Sequence, residues 1–125
     1  MPAKIPEDTD RLFADALNGG RIDDLVALYE PNATLMPSPG KLVSGSAAIR
    51  EALAQFIMAK PKMSLNAKVV AQSGDVALLT SKWDLAMTGQ DGKPANMTGQ
   101  SLEVVRRQSD GRWLFVIDLP FGANA

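Results

Sequence analysis

The sequence predicts an α+β domain in which three N-terminal helices pack on one face of a curved, mainly antiparallel sheet. Two observations support this prediction. Apolar residues recur with helical spacing in the first half of the chain, and they alternate with polar residues from Met63 onward. The chain has 125 residues, of which 46% are hydrophobic, so it can bury one core. Because no linker or repeat divides it, we expect a single domain over residues 1–125.

The first helix is predicted from apolar side chains that share one helical face: Leu12, Phe13, Ala16 and Leu17. The acidic residues Glu7, Asp8 and Asp10 precede most of this face and suit the positive end of a helix dipole. An Asn-Gly-Gly segment at 18–20 then ends the helix.

A second, shorter helix is predicted from Ile22 to Tyr29, and Pro31 prevents its continuation because proline lacks an N–H group. Residues 33–36 follow as a short strand. A turn at 37–40 lets Leu42 and Val43 pair back onto this strand as a hairpin.

The third helix has the clearest pattern, with apolar residues at helical spacing: Ile49, Ala52, Leu53, Phe56 and Ile57. Ser46 is the predicted N-cap residue, and the helix ends before Pro61.

Long strands occupy the rest of the chain. Residues 63–71 alternate, a turn at 73–75 leads into a strand from Val76 to Thr88, and a loop at 89–94 follows. Strands at 98–107 and 113–119 then form the last hairpin.

The last strand has apolar side chains on both faces, since Leu114 and Val116 oppose Trp113, Phe115 and Ile117. A sheet with one face in water alternates more cleanly. We therefore expect helices to cover one face and a second copy of the chain to cover part of the other, as a homodimer.

Four segments in this order and spacing resemble the nuclear-transport-factor-2-like superfamily, and more closely its ketosteroid-isomerase-like and SnoaL-like bacterial branch: 16–20, 28–35, 45–51 and 110–113. The resemblance runs from about Asp8 to Gly122. It implies a cone-shaped half-barrel, with three helices enclosing a mostly apolar pocket against the concave sheet, and usually a homodimer formed through the sheet.

The steroid isomerases of this superfamily allow a comparison of individual residues. Their catalytic aspartate matches Pro37, which has no ionisable group, and their oxyanion-hole tyrosine matches Phe13, which has no hydroxyl group. Their protonated oxyanion-hole aspartate has a counterpart in Glu103. The resemblance therefore does not support steroid-type proton transfer by the usual residues.

Composition excludes further classes of chemistry. The chain has no Cys and no His, which removes thiolate and Ser-His-Asp catalysis and the usual transition-metal ligands, so we expect no metal and no cofactor. The net charge is −1, and the longest basic run is the pair Arg106 and Arg107. We therefore expect neither nucleic acid nor a membrane as a partner. The first eight residues lack the apolar region of a signal peptide, and no stretch approaches the roughly 18 apolar residues that span a bilayer, so we expect a cytoplasmic location.

Three carboxylates interrupt otherwise apolar strands and are the candidates for general acid–base catalysis: Asp84, Glu103 and Asp118. A carboxylate that faces the pocket has its pKa raised towards neutrality by desolvation. The alternative is that these side chains point to solvent or to a dimer interface and pair with nearby cations, or that Asp118 bonds the backbone at its strand end. Glu103 and Asp118 can meet across the last hairpin, but a slip of one residue moves either to the other face.

The candidate pocket lining consists of large apolar side chains, which otherwise serve as core: Phe13, Tyr29, Met36, Phe56, Trp83 and Trp113. The sequence favours a homodimeric protein that binds a small hydrophobic ligand. The alternatives are a cofactor-independent isomerase, cyclase or hydrolase that uses a pocket carboxylate, and a protein-interaction module.

Overall fold

The computed structural model describes residues 3–89 and 91–122. Its helices are α1 (Pro6–Asn18), α2 (Ile22–Val26) and α3 (Ser46–Met58). Its strands are β1 (Tyr29–Ser38), β2 (Lys41–Ser44), β3 (Lys62–Ser73), β4 (Val76–Thr88), β5 (Pro94–Arg107) and β6 (Trp113–Leu119).

The strands form one curved, unclosed sheet in the order β2-β1-β6-β5-β4-β3, and the helices pack on it. All neighbouring strands are antiparallel except β1 and β6, which are parallel. This architecture confirms the predicted α+β class.

The prediction that Tyr29 belongs to the second helix is wrong. The helix ends at Val26, and Tyr29 begins β1 opposite Phe115 of β6. The amide of Phe115 donates a 2.8 Å hydrogen bond to the carbonyl oxygen of Leu28. Pairing with a strand that lies far away in sequence therefore replaces the last helical turn.

Two other element boundaries differ from the prediction. Gly45, with φ of 89°, is the N-cap of α3, so Ser46 is the first helical residue rather than the cap. The positive φ favours glycine at this position. Strand β5 begins at Pro94 rather than Thr98, because β4 pairs with it along its whole length.

The C-terminal end of α1 is tied to the sheet by the side chain of Asn18. Its amide nitrogen donates to the carbonyl oxygen of Met63 at 2.8 Å, and its amide oxygen accepts from the Met63 N–H at 2.6 Å. These bonds hold α1 against the inner face of the sheet, which we define as the face that carries Leu79, Val105 and Phe115. All three of these side chains are fully buried.

A β-bulge at Val116 decides which residues of β6 face inward. Val105 pairs with Phe115 and Val104 pairs with Ile117, so Val116 has no opposite residue in β5. Phe115 and Asp118 therefore both lie on the inner face, 1% and 3% exposed, whereas Ile117 is 38% exposed on the outer face. Without the bulge, strict alternation along β6 would have placed the side chain of Asp118 on the outer face and that of Phe115 on the inner face.

Candidate functional site

Three buried carboxyl groups meet on the inner face of the sheet. Asp10 comes from α1, Glu103 from β5 and Asp118 from β6, and none is more than 4% exposed. Glu103 and Asp118 lie directly opposite each other in the β5–β6 ladder. Carboxyl groups are rarely buried so fully without a cationic partner, so this cluster is the unusual feature of the interior. We call Asp10, Glu103 and Asp118 the acidic cluster.

The acidic cluster lines a cavity of about 30 Å³. This volume holds about two water molecules and is far below the roughly 300–1,000 Å³ of a ligand pocket. The wall also contains the aromatic side chains of Phe13, Trp83 and Phe115. The cavity is therefore smaller and more acidic than the apolar pocket that the family resemblance implies.

Tyr29 fixes one oxygen of Asp118. Its buried hydroxyl group donates a 2.5 Å hydrogen bond to Oδ2 of Asp118. Burial raises the pKa of Asp118 to about 7, and the hydrogen bond from Tyr29 partly offsets this rise while the charge of Asp10 adds to it. Burial, followed by the charge of Asp118, raises the pKa of the Tyr29 phenol well above its usual value, so this phenol remains a donor.

The carboxyl groups of Asp10 and Glu103 lie within hydrogen-bond reach of each other. Oδ2 of Asp10 and Oε1 of Glu103 are buried, and no other group in the described part of the chain donates a hydrogen bond to either atom. Burial raises the pKa of Glu103 to about 11, and the nearby charges of Asp10 and Asp118 add to the rise. Burial also raises the pKa of Asp10 to about 6, although its hydrogen bond with Glu103 opposes this. At neutral pH, Glu103 is therefore an acid that donates its proton to a largely ionised Asp10.

Two serines complete the polar wall beside Glu103. The hydroxyl oxygens of Ser81 and Ser101 lie 2.7 Å apart, and the Ser81 amide donates to Ser101 Oγ at 3.0 Å. A hydrogen bond from Ser101 lowers the pKa of Glu103 against the larger effect of burial. The site thus combines a neutral carboxyl group that can donate a hydrogen bond with a carboxylate whose pKa lies near 7, the range in which a general base works at neutral pH.

Asp84 does not belong to the acidic cluster. It is exposed on the outer face of β4, because the odd-numbered residues of this strand face inward. Two cations that could have paired with these carboxylates, the alternative considered from the sequence, are engaged elsewhere. Arg106 pairs with Glu30 at 2.9 Å, and Arg107 pairs with Asp75.

The expected lining residues are divided between different places. Phe13 and Trp83 line the cavity, and the indole N–H of Trp83 donates to the Pro120 carbonyl oxygen at 2.7 Å. Tyr29 reaches the site through its hydroxyl group. Met36 and Phe56 are half-buried away from the cavity wall, and Trp113 lines a separate cleft of about 270 Å³ beside α1 and α2.

Sequence reasoning missed Asp10, which it assigned to the helix dipole. Asp8 is the residue that accepts hydrogen bonds from the amides of Lys4 and Ile5 at the start of α1. Asp10 instead precedes Phe13 by three positions and Leu17 by seven, so it lies on the buried stripe of the helix. An acidic residue on an apolar helix face was the available signal.

The described residues contain no group of three or more His, Cys, Asp and Glu side chains arranged to hold a metal ion. Among these same residues, no helix has both the length and the apolar character needed to cross a membrane.

Solved structures share this fold. A ketosteroid isomerase-like protein from Erwinia carotovora atroseptica has a TM-score of 0.80 at 23% identity, covering 91% of this chain and 90% of its own. A nuclear transport factor 2 superfamily protein from Salmonella enterica serovar Typhimurium has a TM-score of 0.79 at 15% identity, covering 90% and 84%. A candidate dehydratase of the nuclear-transport-factor-2-like family from Streptomyces avermitilis has a TM-score of 0.79 at 16% identity, covering 90% of both chains. Such low identities establish the fold alone.

A search of curated proteins finds no significant match. The family model for the SnoaL-like domain matches residues 10–116, which span α1 to β6 and include Asp10 and Glu103. The three helices on a curved, unclosed sheet match the cone fold of the structural relatives. The chain therefore belongs to the SnoaL-like domain family.

Proposed function

We propose that this protein is a cofactor-independent acid–base catalyst that acts on a small molecule inside the cone. The observation that carries this proposal is the burial of Asp10, Glu103 and Asp118 around one cavity, with Tyr29 bonded to Asp118. A purely structural interior has no use for three carboxyl groups, because each costs free energy to desolvate. The small volume of the cavity favours this role over the passive binding of a large hydrophobic ligand.

Asp118 is the proposed general base. Tyr29 holds one of its oxygens and leaves the other to accept a proton from the substrate. With a pKa of about 7, Asp118 is both substantially ionised at neutral pH and basic enough to remove a proton. Glu103, which remains protonated, is the proposed hydrogen-bond donor to the substrate: its single O–H turns from Asp10 to the substrate atom on which negative charge develops.

Only the reacting atoms of a substrate fit the cavity as it stands. Met63 and Leu65 of β3 form part of its wall and are half-buried. The body of a substrate would lie along this apolar wall.

Carboxyl-resolved NMR titration tests the site. We expect two carboxyl groups to titrate near neutrality, and we expect Asp118→Asn to remove one of them while Asp84→Asn removes neither. If every Asp and Glu titrates near the ordinary value of ~4, the acid–base proposal fails.

Deuterium exchange into acetone tests catalysis directly, since it requires only a base beside a carbonyl compound. A positioned base contributes about 10²–10⁴-fold, so the wild type should exchange deuterium at least ~100-fold faster than Asp118→Asn. Asp84→Asn, an exposed carboxylate changed in the same way, should match the wild type. Equal rates in all three proteins would count against catalysis by Asp118.

We also infer that the outer face of the sheet forms a homodimer. Val76 and Ile117 are each 38% exposed on this face, beside half-buried Leu78, Leu102 and Val104. A two-fold axis would bring this patch against its own copy. Light scattering should give the mass of two chains, and Ile117→Lys should give the mass of one. A monomeric wild type would refute the dimer and leave this face to another protein.

A further inference from the structure

The acidic cluster has no counter-ion within the described residues. The titratable side chains around the cavity are Asp10 from α1, Tyr29 from β1, Glu103 from β5 and Asp118 from β6. The other side chains of the wall are apolar, aromatic or hydroxyl groups, and β3 and β4 contribute Met63, Leu65, Ser81 and Trp83. None of these side chains is cationic, and no Lys or Arg contributes to the pKa shifts of the three carboxyl groups. At neutral pH the cavity therefore faces negative charge from at least Asp10.

A shared proton satisfies only part of this cluster. Oδ2 of Asp10 and Oε1 of Glu103 belong to side chains that are 3% and 4% exposed, and both residues line the cavity. One proton between them supplies a single hydrogen bond. Ser101 supplies a further hydrogen bond to Glu103, but the negative charge of Asp10 has no cation beside it among the described residues. A buried charge of this kind favours a positively charged ligand with several N–H groups.

The aromatic residues of the cavity wall also suit a cation. Phe13, Trp83 and Phe115 line the cavity together with the carboxyl groups, and aromatic rings attract cations within about 6 Å of their faces. The indole N–H of Trp83 is already bonded to Pro120, so it does not compete as a donor inside the cavity.

We propose that the cavity binds the ammonium group of a small primary amine, with its N–H groups directed at Asp10 and Glu103 and its carbon atoms against Phe13, Trp83 and Phe115. This inference rests on the proposed function, because it assigns a substrate class to the same site. Asp10 carries the charge that faces the ammonium group, which leaves Asp118, held by Tyr29, to accept the proton.

An ammonium group explains the site better than the other compact ions. A metal ion needs oxygen ligands that converge at about 2.0–2.6 Å, and the described residues contain no such group. An anion would meet Asp10 without any cation to offset the repulsion. The cavity of about 30 Å³ accepts the head of an alkylammonium ion, and its alkyl chain would extend past Met63 and Leu65.

Binding of this cation releases protons from the site. The ligand favours the ionised forms of Asp10 and Asp118, whose pKa values are raised to about 6 and about 7. Protons compete with the ligand at low pH, so affinity rises as pH increases through this range. The amine itself stays protonated throughout, because its pKa resembles the ~10.4 of a lysine side chain.

Calorimetric titration with methylammonium chloride, against sodium chloride at equal ionic strength, is the test. We expect saturable binding that methanol and sodium acetate do not show. Titrations at neutral pH in two buffers that differ in ionisation enthalpy should reveal proton release. Asp10→Asn should weaken methylammonium binding at least about tenfold, and Asp84→Asn should leave it unchanged.

Two results overturn the inference: no methylammonium binding beyond that of sodium chloride, or equal affinity in Asp10→Asn and Asp84→Asn. A measurement on the wild type avoids any dependence on the folding of variants, since added methylammonium should lower the pKa of Asp10 by carboxyl NMR. If the carboxyl groups titrate near neutrality but this shift is absent, the amine inference fails while the acid–base proposal stands. If Asp118→Asn binds methylammonium but acetone exchange is equal in all proteins, the amine inference stands and the catalytic proposal fails.

Discussion

Replacing Glu103 by Gln should change how the stability of this protein depends on pH. Burial raises the pKa of Glu103 to about 11 in the folded state, whereas an unfolded chain releases this proton near the ordinary value of 4.5. A group with a raised pKa contributes stability that is fully present below its unfolded pKa. That stability is lost as pH rises towards the folded pKa.

The magnitude follows from proton linkage. Between about pH 5.5 and pH 8, folded Glu103 holds one proton that the unfolded chain lacks. The free energy of unfolding therefore falls by ~1.4 kcal/mol for each unit by which the pH rises. This slope depends only on Glu103 staying protonated over the range. Glutamine has nearly the same shape, carries no charge and can still donate to Asp10 through its amide group. Glu103→Gln should therefore flatten the pH profile by about this amount.

Urea unfolding at several pH values over this range measures the slope. Asp84→Asn is the matched control, because it removes an exposed carboxylate from a neighbouring strand and should leave the slope unchanged. Equal slopes for Glu103→Gln and the wild type would show that Glu103 is ionised in the folded protein, and the reasoning about the acidic cluster would then be refuted.

Three further predictions concern the contacts around the site. Tyr29→Phe removes the hydrogen bond to Asp118 Oδ2 and should raise the pKa of Asp118 further, by about one unit or more on NMR titration; an unchanged pKa would contradict the contact. Gly99→Ala would place a Cβ atom in steric overlap with Cζ2 of Trp83, so urea unfolding should show a loss of roughly 1–3 kcal/mol, and wild-type stability would show that this ring can shift without cost. Asn18→Ala removes both bonds between α1 and Met63, and the same measurement should show a loss of about 1–3 kcal/mol; no loss would mean that α1 is held by its apolar face alone.

Local patterns in the sequence were enough to predict most elements. The period of α3 and its end before Pro61, the turn at 73–75, and the bounds of β4 and β6 depend on neighbouring residues, and the structure confirms them. Tyr29 was assigned wrongly because its neighbours fit a helical face equally well. Its strand conformation depends on a parallel partner, β6, that lies more than eighty residues away in the chain.

The sequence by itself determined the α+β class, the order of helices and strands, the absence of Cys and His chemistry, and three carboxylates worth testing. Only the tertiary structure decided which acids meet. The bulge at Val116 turns Asp118 inward beside Glu103, and the packing of α1 brings Asp10 against them, while Asp84 stays on the outer face. The reason is physical: a bulge reverses the alternation of every later residue in its strand, and the burial that raises a carboxyl pKa comes from elements that are distant in sequence.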